Sequence, residues 1–134
     1  MAHLNHILCI SRIQGLSYKM TMSEFEIKRC ERELEKFLTE YRPPVHLRNE
    51  VDISYRISNQ SVEIFEIRPD FRDPKQKIEL FVAKATYVKS QNIWKIYWQK
   101  SDLKWHKYEP NPTVKLFEEF LSVVGKDQYE CFFS

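Results

Sequence analysis

The hydrophobic period of this chain changes from about 3.6 to about 2 on either side of a proline pair, and that change narrows the possible folds more than any other feature. Upstream, Ile27, Cys30, Leu34, Phe37 and Tyr41 recur at steps of three and four, with Leu38 widening the stripe and charged residues covering the rest. Ser23 and Glu26 form a capping-box pattern, in which each side chain satisfies a backbone amide that a helix start would otherwise leave unpaired. The spacing therefore predicts an amphipathic helix from there to Pro43 and Pro44, which end it because proline disfavours helical geometry in the preceding residue. Val51, Ile53, Tyr55 and Ile57 then alternate with Asp52, Ser54 and Arg56, the pattern of a strand with one buried face.

Turn residues punctuate the remainder of the chain. "SNQS" predicts a hairpin joining that strand to one over 62–67, and further strands are expected over 78–88, 93–99 and 103–108. Asn111 as N-cap, Pro112 at the first helical position, apolar Val114, Phe117, Leu121 and Val124, and Gly125 just past the end predict a second helix. The expected fold class is α+β: an N-terminal helix, an antiparallel meander of about five strands and a C-terminal helix, in a single domain over 22–134. Residues 1–21 show weak periodicity and are expected to be a disordered or dispensable leader, with Met20 and Met22 standing directly before the first strong signal.

Composition excludes several classes. Glycine occurs only at Gly15 and Gly125, so neither a P-loop nor a dinucleotide fingerprint can be assembled. Cys9, Cys30 and Cys131 are an odd set without C-x-x-C spacing, which fits reduced thiols in a cytoplasm and indicates no disulfide framework. No apolar run approaches the roughly 18 residues of a membrane span, so no membrane partner is expected. His3, His6 and Cys9 share a three-residue spacing, but that end offers no rigid scaffold, so neither a metal nor another cofactor is expected.

Three patterns carry candidate chemistry. The stretch from Trp94 to Tyr108 interleaves Trp94, Tyr97, Trp98, Trp105 and Tyr108 with Lys95, Lys100, Lys104 and Lys107, and the 84–107 window has a local charge of +5. Aromatic faces beside ammonium groups suit a nucleic-acid strand or an acidic protein surface. Alternation alone leaves open whether the tryptophans are core. His106, with Asp102, Glu109 or an acid of the stretch "IRPDFRDP", is a candidate acid–base pair near neutral pH, although no serine or cysteine is placed by sequence as its nucleophile. Pro69-Asp70 and the Asp102-Leu103-Lys104 triplet resemble the elements of a metal-dependent nuclease, with Asp102 falling in a predicted turn rather than on a strand. In "IRPDFRDP", Arg68 and Arg72 are fork-shaped cations in a proline-stiffened loop, suited to phosphate or carboxylate.

"RPDFRDP", "FVAKATYVKSQNIWKIYWQKSDLKWHKYEPNP" and "DQYECFFS", in that order, resemble the small bacterial proteins of domain of unknown function 3024. The resemblance spans about 23–134 and carries no assigned activity. The pattern includes Arg68-Pro69, Arg72, Trp94, Tyr97-Trp98, Trp105 and Tyr108, and this chain departs from it at Phe71 and Ser134. The leading expectation is a binding module for an anionic partner using Arg68, Arg72, Trp98, Trp105, His106 and Tyr108. The alternative is a nuclease or other hydrolase using Asp70, Asp102, Lys104 or His106. A homodimer joined through the apolar stripe of the first helix is compatible with either.

Overall fold

A computed structural model describes residues 22–133. The expected leader over 1–21, with its His3, His6 and Cys9, lies outside the described residues.

Helix α1 spans Glu24–Tyr41. Its capping box is closed in both directions: the Ser23 N–H donates to the Glu26 carboxylate at 2.8 Å, and the Glu26 N–H donates to Ser23 Oγ at 3.1 Å. The stripe of the helix packs inward, with Leu34 fully buried and Cys30 and Phe37 nearly so. That burial takes place within the chain, where these three residues join the core under the sheet. Arg42 is already extended, as the following proline requires.

The sheet is a meander in the order β1 (Asp52–Ser58), β2 (Ser61–Pro69), β3 (Lys77–Val88), β4 (Ile93–Gln99), β5 (Trp105–Lys107), all antiparallel. A short β6 (Thr113–Val114) pairs with β4 as well. β5 and β6 are two pieces of one edge: the Tyr108 N–H donates to the Ile96 carbonyl and the Ile96 N–H donates to the Pro112 carbonyl, each at 2.9 Å. This pairing corrects the second helix. Asn111 and Pro112 cap nothing, because β4 takes up the backbone from Pro112 to Val114.

Helix α2 is Phe117–Lys126, and it begins where the Glu119 carboxylate accepts the Leu116 N–H at 2.8 Å. Gly125 lies inside it, and the left-handed residue at its end is Asp127 at φ 42°. A β-carbon on Gly125 would stand 2.5 Å from the Tyr41 hydroxyl, so the glycine lets α1 cross close by. Both helices lie on one face of the sheet, over a core that includes Ile53, Ile57, Val62, Ile64, Ala83, Ala85, Trp94, Ile96, Phe117 and Phe120. Among the described residues, no helix lies on the other face.

One irregularity decides which residues reach that open face. Ile64 pairs with Ala83 while Phe65 pairs with Phe81, leaving Val82 as an extra residue on β3. Such a bulge reverses the alternation along the strand. Ala83, Ala85 and Tyr87 face the helices above it, and Ile78 and Leu80 share that side below it, while Phe81 turns to the open face with Lys84.

Candidate functional site

Cross-strand partners share a face, so the register assigns the open surface residue by residue. One row runs Glu63, Lys84, Tyr97, Lys107 across β2 to β5. A second contains Phe65 and Phe81 and ends at Trp105, opposite Gln99. Ser61, Thr86 and Lys95 make a third.

These rows form a small aromatic and cationic cluster separate from the helix-covered core. Phe65 and Phe81 meet edge to face with centroids 6.0 Å apart, and Phe81 meets Trp105 in the same manner at 5.7 Å. The Lys84 ammonium lies 4.9 Å from the Trp105 ring centroid and 5.1 Å from that of Tyr97, and Arg56 covers Phe65 at 4.9 Å. Ring quadrupoles attract such cations, by about 0.5–1 kcal/mol at exposed sites. Burial against the rings lowers the Lys84 pKa below its ordinary value, an effect opposed by Glu63 across the strand pair. Phe81, Tyr97 and Trp105 are half-buried, and Lys95 and Lys107 are exposed beside them.

The six expected binding residues do not gather here. Trp105 does. Trp98 and His106 are cross-strand partners on the opposite, helix-side face, where the Lys100 ammonium lies 5.5 Å from the Trp98 ring. Tyr108 is 2% exposed and stacks on Phe132 at 4.8 Å, so it serves the core and cannot present its ring to a ligand. Arg68 is paired with Glu66 at 2.9 Å. Arg72 is exposed in the β2–β3 loop, its N–H donated to Asp70 at 3.0 Å, and its guanidinium has no partner among the described residues.

His106 and Asp102 do meet: Nε2 lies 2.8 Å from Oδ2. The other oxygen of Asp102 accepts the Lys104 N–H at 2.9 Å, and this bond, followed by the one to His106, lowers the Asp102 pKa. The turn that carries them holds Leu103 at φ 61° and leaves its side chain 72% exposed. Asp70 is remote from this pair. Lys77 to Val82 run on past the end of β4, which sets the β2–β3 loop roughly 17 Å further along the strand direction. Among the described residues, no group of three or more His, Cys, Asp or Glu side chains is placed to hold a metal. Concavities between α1 and α2 and beside the start of α1 are lined by none of the candidate residues.

Sequence reasoning missed Lys84, Phe81, Phe65 and Arg56 as members of one cluster. The signal that could have found them is the row of Lys84 and Tyr97 on adjacent strands, readable only once the bulge at Val82 is known.

A family model described as Domain of unknown function (DUF3024) matches residues 22–134. The chain belongs to that family. The matched segment takes in both described helices and every described strand, so the open-face cluster and the Asp102–His106 pair both lie within the family domain. No curated protein and no solved structure matches.

Proposed function

We propose that the sheet face opposite α1 and α2 in this DUF3024 domain binds single-stranded nucleic acid as a non-catalytic module. The observation that carries the reading is the Lys84 ammonium seated between Tyr97 and Trp105 on the sheet face that, among the described residues, no helix covers. Half-buried rings offer faces on which bases stack, at about 1–3 kcal/mol per base, and Lys84, Lys95 and Lys107 supply charge for phosphates. A base entering the cluster displaces the lysine from the ring faces, and the freed ammonium moves to a phosphate. We place the module in a bacterial cytoplasm, in keeping with Cys30 and Cys131 as free thiols.

The test is fluorescence anisotropy of a labelled oligothymidylate against salt. Three phosphate contacts give a slope of about −2 in log affinity against log salt. A fourfold rise in salt then weakens binding about 20-fold. Absence of binding at low salt, or binding indifferent to salt, refutes the nucleic-acid reading. An acidic protein surface would engage the same cations and give a similar slope without using the rings.

The 2.8 Å contact between Asp102 and His106 favours a second reading, a hydrolase in which the carboxylate orients an imidazole base. Hydrolysis of single-stranded DNA, RNA or simple esters that is abolished by His106→Ala would establish it. Equal turnover by the variant refutes it.

A further inference from the structure

We propose that the first half of β3, Lys77 to Leu80, pairs edge to edge with the same segment of a second copy of the chain. β2 flanks β3 from Lys77 onward, but β4 reaches only Ala83 to Val88, so among the described residues Lys77–Val82 have a strand neighbour on one side alone. Lys77, Ile78, Glu79 and Leu80 are all exposed, Ile78 at 36% and Leu80 at 40%, because neither helix extends over this part of the sheet. An open strand edge with apolar side chains and no proline is a template for another strand.

The hydrogen-bond phase fixes which residues can join. The Asp70 N–H donates to the Gln76 carbonyl at 2.8 Å, so by antiparallel alternation Ile78 and Leu80 spend their backbone groups on β2. Lys77, Glu79 and Phe81 turn theirs outward. A two-fold axis must pair outward residues with outward residues, which leaves few registers. Centred on Lys77 or on Glu79, it sets like charges directly opposite each other. Centred on Leu80, it drives the second hairpin into β4. Centred on Ile78, it joins the two Ile78 side chains and sets Lys77, which within the chain donates to the Asn49 carbonyl at 2.7 Å, opposite Glu79 of the second copy, which is held by Arg56 at 2.8 Å, so each gains an opposite charge across the axis.

The same register carries each β2–β3 loop, with Phe71 94% exposed, toward the β4–β5 turn of the other copy, where Leu103 is 72% exposed. Four of the large exposed apolar side chains, Phe71, Ile78, Leu80 and Leu103, thereby acquire one explanation. The axis runs perpendicular to the sheet, so the faces opposite α1 and α2 point the same way in both copies.

Sedimentation velocity on the full chain tests this. The expected mass rises with concentration from 16.3 kDa toward twice that value. Ile78→Lys is expected to keep it monomeric throughout, with unchanged circular dichroism and melting. Lys77→Glu alone and Glu79→Lys alone each set like charges opposite, and each is expected to weaken association about tenfold or more. Mixing these two variants restores opposite charges at both positions and is expected to give a one-to-one heterodimer of near-native affinity. A native chain monomeric at every concentration, a dimer indifferent to Ile78→Lys, or charge variants that fail to recover on mixing would each overturn the proposal.

Discussion

Replacing Asp52 with asparagine should loosen the joint between α1 and the sheet by an amount that depends on pH. Asp52 accepts both Nε and Nη2 of Arg42 at 2.8 Å and the N–H of Ile53 at 2.8 Å. The Arg42 hydrogen bond is the largest influence holding the Asp52 carboxyl below its ordinary pKa of 3.8. A charged hydrogen bond contributes about 1.5–3 kcal/mol when shielded, but the Arg42 side chain is 40% exposed, so about 1 kcal/mol is expected here. Because the folded-state pKa is depressed, this contribution is fully present above 3.8 and is lost as pH falls through the folded value. Denaturant unfolding of native and Asp52→Asn protein should therefore differ by about 1 kcal/mol at neutral pH, roughly 4 °C in Tm, and converge in acid. A difference that persists unchanged in acid, or a cycle with Arg42→Ala showing no coupling, would refute the assignment to this ion pair.

Gly125→Ala is expected to destabilise the native chain yet stabilise a Tyr41→Ala background by up to about 1 kcal/mol, since the helix propensity gain is uncovered once the clashing ring is gone; thermal melts of the four proteins decide it. Burial pushes the Cys30 thiol up to about 12, so iodoacetamide at pH 8 should leave Cys30 unmodified in the folded protein and label it after unfolding, as read by peptide mass spectrometry. Asp127 accepts the N–H groups of Phe132 and Phe133 at 3.0 and 2.8 Å, so Asp127→Ala should cost about 1–3 kcal/mol and raise hydrogen exchange in the last residues of the chain.

The parts of the fold that the sequence disclosed are those whose signals are local. A closed capping box, a three-and-four stripe and the alternation of Ile53, Tyr55 and Ile57 each arise within a few residues, and α1 and the β1–β2 hairpin follow from them. The second helix starts later than the sequence predicts because Asn111 and Pro112 satisfy the local rule for a cap, while the outcome depends on Ile96, a residue on another strand that takes the Pro112 carbonyl. The site is obscured in the same way. Strict alternation predicts the face of every strand residue until a bulge intervenes, and Val82 can be identified as the extra residue only from its pairing with β2. Trp98 and Trp105 therefore look equivalent in sequence, yet one faces the helices with His106 and the other meets Phe81 and Lys84 on the open side. The meeting of Asp102 with His106 is legible, because both sit on one tight turn four residues apart.

The affinity of Trp105→Ala for a short oligothymidylate at low salt, measured beside the native chain with the fold checked by circular dichroism, tests the open-face account most directly. Loss of one stacking ring from the Lys84 cluster should weaken binding between about 5-fold and 150-fold while leaving the salt slope nearly unchanged. An affinity equal to that of the native chain, with the variant folded, would contradict it.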